Sequence, residues 1–147
     1  MDGQNPTLAP YAKEGECYMR VTAKAHTAEE ADTLCQPLIE EIKRRVGDFV
    51  YSVDTESLEE LVVSELKAQG KTLATAESCT GGLLSKRLTD VSGASEVFHM
   101  GCVTYANQAK EDLLSVSHET LAQYGAVSEQ TAREMAEGIV RRSGSSL

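Results

Sequence analysis

The sequence predicts an α/β protein, in which a small β-α-β unit precedes a partial α/β layered domain. Residues 16–25 alternate between apolar and polar side chains, as a half-buried strand does. Apolar residues at helical spacing follow two capping boxes, and short apolar runs then alternate with helical patterns to the end of the 147 residues. The capping boxes are Thr27 with Glu30 and Ser57 with Glu60.

The first unit is predicted at residues 16–56, behind an extended arm or linker at residues 1–15. Residues 5–15 carry two prolines and a glycine ahead of the first alternating segment, which indicates an arm. The first helix ends at Gly47, and Pro37 inside it predicts a kink or two helical pieces, because proline lacks a donor and crowds the preceding turn. A second strand at residues 48–53 completes the unit.

The second unit is predicted at residues 57–147. Its first helix ends at Gly70, the expected C-cap, and leads into a strand at 72–76 and a turn. The remaining predicted elements are a helix from about Thr80 to Thr89, a strand from near Val97 to Tyr105, and helices at about 107–114, 118–124 and 129–142. A sheet of only two strands has an exposed edge, so we expect either that another chain completes it, as in a homo-oligomer, or that the sequence is truncated.

Composition excludes several classes of function. The hydrophobic content of 41% is sufficient for a core, and no run approaches the roughly 20 apolar residues of a membrane-spanning helix. The N-terminus lacks the features of a signal peptide, so we expect a cytoplasmic protein with no membrane partner. The net charge of −9 is unfavourable for binding nucleic acid, whereas a small anionic substrate needs only a local cluster of N–H groups.

The cysteines and histidines do not form a metal-binding pattern. They are Cys17, Cys35, Cys79 and Cys102, and His26, His99 and His118. No Cys-x-x-Cys pair occurs and the histidines are scattered, so we expect no metal. The thiols are expected to be reduced, and only Cys79 lies where a reactive thiol is plausible.

Residues 72–82, Thr-Leu-Ala-Thr-Ala-Glu-Ser-Cys-Thr-Gly-Gly, form the stretch best suited to chemistry. Hydroxyls of Ser78 and Thr80 can lie beside free N–H groups at a helix N-terminus, where a developing oxyanion is stabilised. Alternatively, Ser78 or Thr80 caps the helix and the glycines ease a tight turn. The segment matches neither the Gly-x-Ser-x-Gly elbow nor the Gly-x-x-x-x-Gly-Lys phosphate loop, so its function depends on partners elsewhere.

Three blocks of sequence resemble the competence/damage-inducible CinA family in order and spacing. They are residues 75–82 (TAESCTGG), 101–110 (GCVTYANQAK) and 124–128 (YGAVS). Residues 5–25 resemble the start of the family's KH-like middle domain. The resemblance implies a KH-like domain at residues 16–56 and, at residues 57–147, the N-terminal half of an amidase domain.

The resemblance also implies an activity, which is hydrolysis of the carboxamide of nicotinamide mononucleotide to nicotinic acid mononucleotide and ammonia, without a cofactor. It makes Ser78 the nucleophile and Lys110 the general base, with Tyr105 nearby. The residues implied in substrate binding are Glu77, Thr80, Gly81, Gly82, Thr104 and Asn107. Because only half of the amidase domain is expected here, we expect impaired activity.

The residues alone leave other interpretations open. Lys110 at a helix start is ordinarily a solvated surface residue, and Tyr105 at a strand end is ordinarily in the core with its hydroxyl at the rim. Glu77 could be a surface strand end or the partner of a cation. The first unit lacks the Gly-x-x-Gly loop of an RNA-binding module, so we expect a linking role for it. The alternative function is a non-catalytic self-association or nucleotide-binding module.

Overall fold

The computed structural model describes residues 5–13, 15–54 and 57–147, and it divides into two compact units, Met1–Val53 and Asp54–Leu147. Helices and short sheets occur in both sequence halves as predicted, so the α/β class is confirmed. Residues 1–4 and 14 of the predicted arm, and residues 55 and 56 at the predicted boundary, lie outside the described residues. No helix in the described ranges is long and apolar enough to cross a membrane.

The first unit begins with an antiparallel hairpin of strands β1 (Thr7–Lys13) and β2 (Glu16–Thr22). The prediction of an extended arm is therefore wrong for the described residues 7–13, which pair along their whole length with β2. Pro10 lies opposite Met19 within β1. The prediction took the prolines as a sign against a strand. However, β1 has a single neighbouring strand, and an edge strand tolerates a residue without an N–H.

Helix α1 (Ala28–Val46) runs continuously through Pro37, so the expected division into two helical pieces is wrong. Proline removes one donor to the carbonyl of Thr33, and because Thr33 is exposed, water can solvate that carbonyl. A 3-10 turn at Gly47–Phe49 follows α1 and is closed by the Val50 N–H on the Gly47 carbonyl at 3.0 Å. The predicted strand at residues 48–53 is absent, and the described order is β-β-α rather than β-α-β.

The second unit contains five helices and two parallel strands among its described residues. These are α2 (Leu58–Ala68), β3 (Leu73–Glu77), α3 (Leu83–Thr89), β4 (Phe98–Val103), α4 (Asn107–Leu114), α5 (His118–Tyr124) and α6 (Glu129–Ser143). The last three helices begin and end within one residue of the predicted bounds. Side-chain caps explain this agreement for α5 and α6, where Ser117 and Ser128 accept hydrogen bonds from first-turn amides.

Apolar side chains cover both faces of the β3–β4 sheet. One buried cluster packs α2 and α3 against one face, and the other packs α4, α5 and α6 against the opposite face. Neighbouring residues of β3 serve different clusters, because Leu73 packs with the first and Ala74 with the second. The sheet is thus the middle of three layers, and its strand ends are held from both sides.

The last residues of the chain run beside β3. Leu147 donates its N–H to the Thr72 carbonyl at 3.0 Å and accepts a hydrogen bond from the Ala74 N–H at 2.9 Å. This is the pattern of a parallel strand pair, on the side of β3 away from β4. The predicted two-strand sheet is therefore extended locally by the final residues.

Gly138 allows α6 to lie directly against the end of α4. A Cβ at this position would overlap the Leu114 carbonyl oxygen and lie 2.8 Å from the carbonyl carbon. Leu114 is itself 1% exposed, so its backbone has no room to retreat.

We expect Gly138→Ala to lower the free energy of unfolding of the second unit by about 3 kcal/mol, because the clash involves backbone rather than a flexible side chain. Gly47→Ala is a matched control, since a Cβ there meets nothing within 4 Å and Gly47 has φ −56°. Urea unfolding followed by circular dichroism measures both. A Gly138→Ala protein as stable as the Gly47→Ala protein would show that the two helices can separate without cost.

Candidate active site

The carboxyl ends of the two parallel strands meet at one edge of the second unit. Ser78 directly follows β3 and Thr104 directly follows β4. The Thr104 N–H donates to the Glu77 carbonyl at 2.8 Å, which holds the two strand ends together. Helix α4 begins three residues after Thr104 and returns Lys110 toward the same edge. This is where polar side chains of adjacent parallel strands usually converge.

Lys110 is fully buried, with 0% of its surface exposed. Its Nζ lies 3.1 Å from Ser78 Oγ, 2.8 Å from the Thr104 carbonyl oxygen and 3.1 Å from the Tyr105 carbonyl oxygen. No carboxylate of the described residues forms an ion pair with this amine. The interpretation of Lys110 as a solvated surface residue is therefore wrong.

The three partners of Lys110 fit an amine that exchanges a proton with Ser78. The two carbonyl oxygens can only accept, so each takes one N–H of the amine. A hydroxyl can accept or donate. The third site can thus be an N–H donated to Ser78 Oγ or a lone pair that accepts the Ser78 proton, and the same geometry serves both.

The chain after Ser78 turns tightly before α3 begins. The Gly81 N–H closes a turn on the Ser78 carbonyl at 3.1 Å, and Leu83 N–H closes the next one on the Thr80 carbonyl at 3.0 Å. Gly81 and Gly82 have φ of +62° and +98°, a region that glycine adopts without strain. The helix starts at Leu83 rather than near Thr80, and Gly82 is its N-cap without a side-chain hydrogen bond. The interpretation of Ser78 or Thr80 as the cap is therefore wrong.

The amide groups at the start of α3, which were expected to be free, donate hydrogen bonds to the Glu77 carboxylate. One carboxylate oxygen accepts from the amides of Gly82 at 3.1 Å and Leu84 at 3.0 Å. The other accepts from Ser85, from the amide at 2.8 Å and from the hydroxyl at 2.6 Å. Glu77 is 3% exposed, so it is neither a surface strand end nor, among the described residues, the partner of a cation.

Burial by itself raises the pKa of Glu77. Hydrogen bonds from the Ser85 hydroxyl and from the amides of Ser85 and Leu84 outweigh that effect and hold the pKa of Glu77 at about 2. Glu77 is consequently ionised throughout the neutral range.

The amides of Cys79 and Thr80, in contrast, donate no hydrogen bond to any described residue. They directly follow Ser78 in the turn, and both residues are exposed. These two amides can therefore donate to a group that approaches the turn.

The other predicted site residues lie around the same edge with different exposure. Tyr105 is 77% exposed, so it is not a core residue, and its carbonyl rather than its ring contacts Lys110. Thr104 is fully buried, and its hydroxyl has no partner among the described residues. Asn107 is exposed at the first position of α4, and its side chain makes no hydrogen bond within the described ranges.

The sequence analysis assigned no role to three residues of the site environment, which are Thr75, Ser85 and Gly101. Ser85 and Thr75 form a hydrogen bond between their hydroxyl oxygens at 2.8 Å, beneath Gly101 of β4. Ser85 was missed because it sits among the apolar and basic positions of a short helix, where a serine gives no signal. As for metals, no cluster of three His, Cys, Asp or Glu side chains occurs in the part of the chain that the structure describes.

Comparison with protein families matches both units of the chain. Residues 55–147 match the CinA C-terminal domain, and residues 1–52 match the damage-inducible protein CinA KH domain.

Curated relatives match almost the whole chain. It is 54% identical to a CinA-like protein of Desulfovibrio desulfuricans and 50% identical to a putative competence-damage inducible protein of Clostridium botulinum. Each match covers 97% of this chain but only 34% and 35% of these relatives, so the chain spans about a third of their length.

Solved structures give the same family. A competence-damaged protein (CinA) superfamily protein of Escherichia coli has a TM-score of 0.60 at 38% identity, over 71% of this chain and 61% of its own. The competence/damage-inducible protein CihA of Agrobacterium tumefaciens has a TM-score of 0.58 at 45% identity, over 64% and 59%.

Acid should destabilise the second unit partly through Glu77. Its pKa of about 2 in the folded chain lies below the ordinary value of 4.5, so the unfolded chain takes up the proton first as pH falls. The stabilisation is complete above the ordinary value and is lost as pH drops toward about 2. We expect Glu77→Gln to be less stable at neutral pH, with a flatter dependence of unfolding free energy on pH between about 5 and 2. Urea unfolding across that range measures the slope, and parallel slopes would contradict the assignment.

Proposed function

The chain belongs to the CinA family, as its sequence resemblance predicted, and from this premise we propose that it is part of an amidohydrolase with a Ser78–Lys110 pair. The proposed reaction converts nicotinamide mononucleotide and water to nicotinic acid mononucleotide and ammonia. The single observation that carries the proposal is the fully buried Lys110 amine, 3.1 Å from Ser78 Oγ and without a carboxylate partner among the described residues.

In the first step, Lys110 takes the proton of Ser78 while Ser78 Oγ attacks the carboxamide carbon. The separation of 3.1 Å between Lys110 Nζ and Ser78 Oγ is suited to this proton transfer. The C–N bond then breaks, and the leaving amine takes the proton back from Lys110 and departs as ammonia. A water molecule then attacks the resulting ester while Lys110 takes its proton. The bond between the acyl carbon and Ser78 Oγ breaks, Lys110 returns the proton to Ser78 Oγ, and the acid departs.

The tetrahedral intermediates carry a negative oxygen that needs donors. The amides of Cys79 and Thr80 are suited to this, because they follow the nucleophile directly and have no other hydrogen bond within the described residues. The α3 amides are unsuited, since Glu77 already uses them.

Residues around the pair offer contacts for a pyridine nucleotide. The exposed ring of Tyr105 can stack on a flat aromatic ring, and the exposed amide of Asn107 can pair with polar groups of the substrate. The unpartnered Thr104 hydroxyl lies at the same strand end. The proposed steps use only these side chains, backbone amides and water.

Two substitutions test the proposed pair. Ser78→Ala removes the nucleophile and Lys110→Met removes the base while keeping most of the apolar volume, so each should lower ammonia release from nicotinamide mononucleotide by roughly three orders of magnitude or more. Matched controls are Ser92→Ala and Lys71→Met, both at exposed residues outside the site, which should retain activity. A coupled ammonia assay measures the rates, and circular dichroism checks the folding.

Ammonia release that survives Ser78→Ala would exclude Ser78 as nucleophile. If the unsubstituted chain binds the mononucleotide in calorimetry without releasing ammonia, the chain by itself acts as a nucleotide-binding module.

A further inference from the structure

We infer that Glu77, through Ser85 and Thr75, is a positioning element that fixes the turn carrying Ser78, rather than a ligand of the substrate. The inference rests on the proposed function for its catalytic consequence, and on the hydrogen bonds of the turn for its structural part. Glu77 is the residue immediately before the proposed nucleophile, yet its carboxylate points to the start of α3, where it accepts hydrogen bonds from the Gly82, Leu84 and Ser85 amides and from the Ser85 hydroxyl.

Glu77 joins three parts of the site through a single residue. Its side chain holds the first turn of α3, while its backbone carbonyl accepts from the Thr104 N–H at 2.8 Å. The Thr104 carbonyl in turn accepts from Lys110 Nζ at 2.8 Å. Displacement of Glu77 would therefore alter both the nucleophile turn and the strand end that holds the base.

The four hydrogen bonds to Glu77 are a directional set. A carboxylate only accepts, so the Ser85 hydroxyl must donate its proton to Glu77 at 2.6 Å. Ser85 Oγ is then an acceptor toward Thr75, whose hydroxyl must be the donor across 2.8 Å. The chain of donors runs from Thr75 through Ser85 to Glu77, and it ends on the only charged member.

Gly101 shows that the packing around this chain is tight. A Cβ on Gly101 would lie 2.5 Å from Ser85 Oγ and 3.1 Å from Thr75 Oγ1. Glycine is thus needed for β4 to pass over the two hydroxyls. Elements β3, α3 and β4 all contribute to the same arrangement.

This arrangement limits the freedom of the nucleophile turn. Only residues 78–81 separate Glu77 from Gly82. Because the Glu77 carboxylate accepts a hydrogen bond from the Gly82 amide, the two ends of this turn are tied together. Closure restricts the conformations open to Ser78, Cys79 and Thr80, and the Cys79 and Thr80 amides donate to no acceptor among the described residues. Pre-set donors of this kind act on the transition state more than on the bound substrate.

The decisive variants are Glu77→Gln, Glu77→Asp and Ser85→Ala. A glutamine presents N–H groups toward amide donors, an aspartate falls one methylene short, and Ser85→Ala removes one hydrogen bond while keeping the charge. Glu134→Gln is the matched control. Glu134 also accepts a backbone amide and a hydroxyl, from Ser117 at 2.7 Å and Thr120 at 2.6 Å, on the other side of the sheet.

Two readouts are needed on each variant. Amide hydrogen exchange by nuclear magnetic resonance follows Gly82, Leu84 and Ser85 without any turnover. Steady-state ammonia release from nicotinamide mononucleotide gives kcat and KM. We expect Glu77→Gln to speed exchange of the three amides about tenfold or more and to lower kcat about 10- to 100-fold, with KM changed less than about threefold.

Ser85→Ala and Glu77→Asp should give smaller effects of the same kind, and the Glu77→Gln effect on kcat should shrink when Ser85 is already alanine. Ser85→Ala retains the charged carboxylate and three of its four hydrogen bonds, so it tests the inference even if Glu77→Gln does not fold. Glu134→Gln should leave exchange of the α3 amides and kcat unchanged.

Different results would contradict the positioning role of Glu77 and the proposed function. A rise in KM of tenfold or more at unchanged kcat would make Glu77 a substrate ligand, and unchanged α3 exchange in an active enzyme would remove the positioning role alone. Faster exchange in a chain that releases no ammonia would instead overturn the proposed function and, with it, the catalytic consequence.

Discussion

The buried amine of Lys110 is the constraint on which the second unit depends. An amine removed from water needs hydrogen-bond partners for its N–H groups, and here they come from the Ser78 hydroxyl and from the carbonyls of Thr104 and Tyr105. The ends of β3 and β4 and the start of α4 must therefore meet at one point. The parallel register, in which Glu77 lies opposite Val103, brings those strand ends level.

Packing away from the site keeps α4 in the position that this constraint requires. Lys110 and Leu114 lie one turn apart on α4, and Leu114 belongs to the cluster that α5 and α6 build against the sheet. Gly138 lets α6 reach the Leu114 backbone. The amine is thus held by a helix that is fixed at its other end, which explains how a charged side-chain type is tolerated at 0% exposure.

The sequence predicted local structure well where side-chain caps mark the start of a helix. The Ser57 capping box and the Ser128 cap define helix starts because each forms within a few residues. It failed at residues 7–13 and 48–53, because strand formation depends on which distant segment pairs. Residues 7–13 pair with β2, whereas residues 48–53 form no strand. The Ser78–Lys110 pair came from family resemblance, since a separation of 32 residues carries no local signal. The binding of Glu77 to α3 amides depends on the conformation of Gly81 and Gly82, which local sequence leaves open.

Glu77 and Lys110, two ionisable residues beside Ser78, differ in their surroundings, and this difference supports Lys110 as the base of the proposed reaction. Glu77 accepts four hydrogen bonds and has a pKa of about 2, so it cannot hold a proton taken from Ser78 near neutral pH. His99 and His118 are exposed and make no hydrogen bond to Ser78. Among the described residues, only Lys110 is within hydrogen-bond distance of Ser78 Oγ. In the proposed reaction, Glu77 therefore holds the turn because its carboxylate already accepts several hydrogen bonds, and Lys110 moves the proton because its amine contacts only uncharged acceptors.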